Sequence, residues 1–100
     1  MNPRLRLDDT TLARFCERHY IRRLSLFGSQ LKGTARLDSD IDLLVEFEPG
    51  QVPGLLALAS MELDLSDLLG GRRVDLRTAE DLSRYFRDEV VRTAEVQYAR

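Results

Sequence analysis

The chain has one cysteine, Cys16, so no internal disulfide can form. No apolar stretch approaches the ~18 residues that a membrane-spanning helix needs. The first residues, Met1-Asn2-Pro3-Arg4-Leu5-Arg6-Leu7-Asp8, lack the apolar core of a signal peptide. A cytoplasmic protein is therefore expected. Internal repeats, linkers and low-complexity segments are absent as well, so the 100 residues read as a single domain, 1–100. Nor is there a large excess of one charge. The net charge of −2 argues against nucleic-acid binding over the whole surface.

An ordinary soluble composition is present instead. Apolar residues make up 43% and charged residues 32%, which excludes a disordered chain. A chain this short buries a small core, and such a core can lean on a partner. The charge is unevenly spread. The first 36 residues carry Arg4, Arg6, Arg14, Arg18, Arg22, Arg23, Lys32 and Arg36 against three acids, a net +5. The rest carries −7. This asymmetry fits a polyanionic ligand at the N-terminal half with cation-binding acids nearby, although most of these arginines read as solvated helix faces.

Periodicity gives the coarse architecture. Asp8 or Asp9 caps a first helix whose Leu12, Phe15, Cys16, His19 and Tyr20 form one face. A first strand runs from Arg23 to Phe27, and residues 29–33 read as a helical turn closed by Gly33. Ile41 to Phe47 is a near-continuous apolar run that suits a central strand, with Glu46 and Glu48 at its polar end. After the Pro49-Gly50 break, Pro53 opens a second helix. Its inward stripe is Leu55, Leu58, Met61, Leu65, Leu68 and Leu69, with Leu56 and Leu63 exposed, and Gly70-Gly71 ends it. Val74 to Arg77 is a third strand, and Thr78 with Asp81 resembles a capping box. A last helix is expected from about Ser83 to Tyr98, with Phe86, Val90, Ala94 and Tyr98 inward. The order implies an α/β sandwich on a sheet of about three strands.

The chemistry lies in the spacing of a few residues. An apolar run ends in Gly28-Ser29, and a second opens with Asp40-Ile41-Asp42. Residues two apart in a strand share a face, ~6.6 Å apart along the chain. Two carboxylates held that close repel, and a divalent cation relieves the cost. Gly28 lets a ligand approach the backbone, and Ser29 offers a hydroxyl and an N–H to phosphate. Lys32 can reach the same phosphates as a point charge. Asp75 sits between Val74 and Leu76, where an aspartate is otherwise out of place in a strand. If its strand pairs beside that of Asp42, three acids converge. Three acids can hold two divalent ions around an in-line phosphoryl-type displacement, and one of them, Asp75 the natural candidate, can take a proton. His19 continues an apolar helical face and reads as a packed boundary histidine rather than a ligand.

Phe27-Gly28-Ser29 through Asp40-Ile41-Asp42, followed by Val74-Asp75-Leu76, resembles a minimal nucleotidyltransferase (MNT) domain of the polymerase-beta-like nucleotidyltransferase superfamily. Gly-Ser alone or Asp-x-Asp alone is a weak signal; their spacing together with a downstream strand aspartate is specific. The resemblance covers nearly the whole chain. It implies an α/β (α+β) fold with a small mixed β-sheet. It also implies Mg²⁺-dependent transfer of AMP from ATP, with Asp40, Asp42 and Asp75 as catalytic and metal-binding acids and Gly28, Ser29 and Lys32 on the nucleotide. Many such domains are similar to the antitoxin of HEPN–MNT toxin–antitoxin pairs, which attaches AMP to a tyrosine of the HEPN ribonuclease. Family members often carry an arginine, a small residue and a basic residue after Gly-Ser. Here those places hold Gln30, Leu31 and Lys32, of which Lys32 keeps the charge.

Two other functions compete with a protein adenylyltransferase. One is an antitoxin that masks its toxin by contact alone. The other is a small-molecule nucleotidyltransferase of the antibiotic-modifying type, disfavoured because nothing supplies a second domain for an acceptor pocket.

Overall fold

The computed structural model describes residues 7–27, 41–85 and 87–100. The first helix, α1 (Asp9–Arg18), starts where Asp8 accepts hydrogen bonds from the N–H groups of Thr10 and Thr11, at 3.3 and 3.1 Å, and from the Thr11 hydroxyl. Those bonds, the Thr11 hydroxyl foremost, hold the Asp8 carboxyl below its usual pKa. Its contribution is therefore complete above the ordinary aspartate pKa and is lost as pH falls through the lowered value.

Leu12, Phe15 and Cys16 are buried on the inward face of α1, as the periodicity predicts. Burial pushes the Cys16 thiol up to about 12. His19 stands at the C-cap, half-buried, with its ring 4.6 Å from that of Phe15. Burial lowers its pKa. Tyr20 departs from expectation. It is exposed and takes the left-handed conformation, φ 58°, because the helix has already ended and the chain must turn into the first strand.

Among the described residues the strands form one mixed sheet in the order β3-β2-β1-β4. β1 (Ile21–Phe27) and β2 (Ile41–Phe47) are antiparallel, with Phe27 opposite Asp42. β3 (Val74–Arg77) runs parallel to β2. A parallel neighbour needs a crossover, and α2 (Leu55–Leu68) supplies it. α2 packs on β3, and α1 packs on β1 and β4. Leu24, Leu26, Ile41, Leu43, Val45, Val74 and Leu76 join Leu12, Phe15, Cys16, Met61, Leu65 and Leu69 in one core.

Two expectations need correction. First, the last helix is much shorter. α3 (Arg87–Thr93) gives way to β4 (Glu95–Ala99), antiparallel to β1, so the sheet has four strands rather than three. Without β4 the outer edge of β1 would leave backbone groups unpaired, and tertiary pairing overrides the helical spacing of Val90, Ala94 and Tyr98. None of α3 is buried, Tyr98 packs on the core from β4, and Phe86 lies outside the described residues. Second, the inward stripe of α2 is narrower than its leucines suggest. Leu55 is 86% exposed and Leu68 is exposed too, while Met61, Leu65 and Leu69 are buried and Leu58 packs beside them. Leu56 and Leu63 are exposed as expected. As expected, Thr78 and Asp81 form a capping box; it opens a single 3₁₀ turn, Ala79–Asp81, in which Asp81 accepts the Thr78 N–H at 3.2 Å.

Gly70 and Gly71 close α2 as expected. Both have positive φ, 77° and 89°. The Gly71 N–H reaches back to the Ser66 carbonyl at 2.8 Å, which ends the helix cleanly. The helical turn expected at residues 29–33 lies outside the described residues.

The core is small, so each member of it counts. Leu65 is fully buried between α2 and the sheet. Leu65→Ala should destabilise the fold by about 2–5 kcal/mol, read from the urea midpoint. A loss below about 1 kcal/mol would mean that α2 does not seat on the sheet as described.

Candidate active site

Alternation divides the sheet into two faces. Ile41, Leu43, Val45, Val74 and Leu76 turn to the helices and are buried. Asp42, Glu46, Asp75 and Arg77 take the intervening positions, on the opposite face. The β2–β3 register pairs Ile41 with Val74, Asp42 with Asp75 and Leu43 with Leu76. The two aspartates are therefore direct neighbours on one face, on strands ~4.8 Å apart. The pairing is anchored just before them, where the Ile41 N–H donates to the Arg73 carbonyl at 2.8 Å.

Phe27, Asp42 and Asp75 make one row across three strands. Both acids are half-buried. Leu44 and Ser25, on the same face, are buried, so the acids border a covered patch rather than an open sheet. At the far end of this face Arg23 and Glu46 form an ion pair of 3.4 Å, half exposed and so worth little.

The expected site is thus partly described. Asp42 and Asp75 are brought together. Gly28, Ser29, Lys32 and Asp40 lie outside the described residues. Gly28 follows Phe27 and Asp40 precedes Ile41 in the sequence. Among the described residues no set of three His, Cys, Asp or Glu side chains gathers into a metal site. The two carboxylates nevertheless fit a hard divalent cation. They offer only oxygen donors, carry like charge and stand side by side, an arrangement that favours Mg²⁺ shared with phosphate.

Sequence patterns missed two polar residues that hold the site from behind. Glu62 and Ser66 lie on the inward face of α2 between its buried apolar residues. Glu62 accepts the Leu76 N–H at 2.8 Å, and the Ser66 hydroxyl donates to the Arg72 carbonyl. Their i, i+4 spacing on one helix face was the available signal, but surface polar residues share it.

The profile of the nucleotidyltransferase domain matches residues 9–98. The chain belongs to the nucleotidyltransferase domain family. It is 47% identical over 60 residues to protein adenylyltransferase MntA of Thermococcus cleftensis, an alignment covering 60% of this chain and 58% of that protein. The chain thus matches little more than half the length of that relative. It is 34% identical over 77 residues to a putative protein adenylyltransferase of Methanocaldococcus jannaschii, covering 77% of this chain and 80% of that one. Among solved structures it resembles a putative minimal nucleotidyltransferase, with 43% identity, TM-score 0.64, and 89% and 95% of the two chains covered. A toxin–antitoxin crystal structure with AMP-PNP shares the fold at TM-score 0.73 and 22% identity, over 94% of this chain and 75% of that one.

The register that this nucleotidyltransferase domain imposes on its two acids can be tested without touching them. Leu44 and Arg77 are the next same-face pair. The double variant Leu44→Cys/Arg77→Cys should form a disulfide on mild oxidation, whereas Leu44→Cys/Leu76→Cys, on opposite faces, should not. Cys16 can stay in place, since its buried thiol remains protonated. Gel mobility after peptide mapping reads the result, and crosslinking of only the second pair would contradict the register.

Proposed function

We propose that this domain is a Mg²⁺-dependent protein adenylyltransferase that uses ATP and acts as an antitoxin. Its acceptor is a tyrosine hydroxyl of a HEPN-type ribonuclease toxin. The observation that carries the reading is the side-by-side pairing of Asp42 and Asp75 on the sheet face away from α1 and α2. Relatives named as protein adenylyltransferases support the activity. Toxin–antitoxin complexes of the same fold, one described as MntA–HepT, support the partner.

In this reading Asp40, Asp42 and Asp75 hold the cation, and Gly28, Ser29 and Lys32 hold the β- and γ-phosphates. Bound Mg²⁺ would neutralise charge on the triphosphate and on the leaving diphosphate. Asp75 takes the proton of the acceptor hydroxyl. The hydroxyl oxygen forms a bond to the α-phosphorus, the bond from that phosphorus to the bridging oxygen breaks, and diphosphate leaves. The product is a protein–AMP phosphodiester. ATP and a ribonuclease partner both belong to the cytoplasm, and among the described residues no helix is long and apolar enough to cross a membrane.

Asp42→Asn keeps the shape of the side chain and removes its charge. It should cut labelled AMP transfer from ATP to a co-expressed partner by at least the ~10–100-fold that loss of a mere outer-shell partner costs. The fold and the partner complex should survive, as read by thermal melting and pull-down. Normal transfer by the variant would refute the catalytic reading. Lost transfer with full neutralisation of the toxin in cells would leave an antitoxin that acts by contact alone.

A further inference from the structure

β3 has four residues and, among the described residues, forms one edge of the sheet. Asp75 stands beside Asp42 only while this short strand keeps its register, and an edge strand has no second strand to fix it. Its open side is met by α2 instead. Glu62 accepts the Leu76 N–H at 2.8 Å, and Ser66, one turn later, donates its hydroxyl to the Arg72 carbonyl. These bonds bracket Asp75, one on the residue after it and one three residues before.

Both come from the helix face that Met61, Leu65 and Leu69 seat in the core. A carboxylate on such a face is costly unless it finds a partner, and the strand N–H is that partner. A carboxylate also makes a stronger acceptor than a neutral group.

We propose that Glu62 is a positioning residue for the acid pair: through the Leu76 N–H it fixes β3, so that Asp75 stays aligned with Asp42 to bind a divalent cation. The proposal rests on the reading of Asp42 and Asp75 as cation ligands, and it gives Glu62 no contact with the cation.

The test uses the full chain and Mn²⁺ as the probe, without turnover. Glu62→Ala removes the acceptor. Glu62→Gln keeps an oxygen that can accept the Leu76 N–H. Glu62→Leu keeps bulk without an acceptor and serves if Glu62→Ala does not stay folded. Two quantities are read: hydrogen exchange of the Leu76 amide by NMR, and Mn²⁺ affinity by electron paramagnetic resonance.

Loss of the acceptor should speed Leu76 exchange and weaken Mn²⁺ binding by about 10-fold, the lower end for an outer-shell partner. Amides of β1 should keep their protection. Glu62→Gln should recover most of both losses. Faster Leu76 exchange with unchanged Mn²⁺ affinity would overturn the proposal and leave Glu62 a purely structural residue. Failure of Glu62→Gln to recover affinity while Leu76 is again protected would also overturn it, because charge and not alignment would then be at work. If the unmodified chain binds no Mn²⁺, the cation reading itself fails, and that outcome is distinct from the other two.

Discussion

The parallel pairing of β2 with β3 is the constraint on which the structure turns. It sets Asp42 against Asp75 in register, on strands whose spacing is fixed at ~4.8 Å by backbone hydrogen bonds. Two unit charges ~4 Å apart in water repel by about 1 kcal/mol, and by more where water is partly excluded. The pairing of the strands keeps the two acids on one face at neighbouring positions. A parallel neighbour cannot be reached by a hairpin, so α2 must cross over, and its seat on the sheet decides where β3 lies. The buried row of Met61, Leu65 and Leu69 supplies that seat. The polar bonds of Glu62 and Ser66 then tie the helix to the strand beside the acid and to the chain leading into it. Fold and chemistry thus meet in one pair of strands.

Much of this was legible in the residues. The run Ile41 to Phe47 could only be a buried strand, and an aspartate inside it demanded an explanation beyond packing. Asp75 between Val74 and Leu76 repeated the same anomaly. Local chemistry marked the boundaries well: Asp8 caps α1 with its side chain, and Gly70-Gly71 adopts positive φ to end α2. Each of these signals depends on a residue and its immediate neighbours, so the sequence alone carries them.

The rest depended on distant partners. Glu95 to Ala99 form a strand because β1 offers an open edge, a fact absent from their own pattern. Val90, Ala94 and Tyr98 fall at helical spacing, and only the edge of β1 decides against it. In α2 leucines lie on nearly every side, so apolar spacing could not tell the exposed Leu55 and Leu68 from the buried Leu65. The polar residues Glu62 and Ser66 face inward for the same reason: their partners, the Leu76 N–H in β3 and the Arg72 carbonyl just before it, lie fourteen and six residues away. Tyr20 could not be placed because helix α1 stops two residues earlier than its apolar face suggests.

The central claim is that Asp42 and Asp75 jointly hold a divalent cation for nucleotidyl transfer. Anomalous diffraction from crystals grown with Mn²⁺ and a non-hydrolysable ATP analogue tests it most directly. The account predicts an anomalous peak within ~2.0–2.2 Å of an oxygen of each aspartate and bridged to the triphosphate. A triphosphate bound elsewhere, or a peak that neither carboxylate touches, would contradict it.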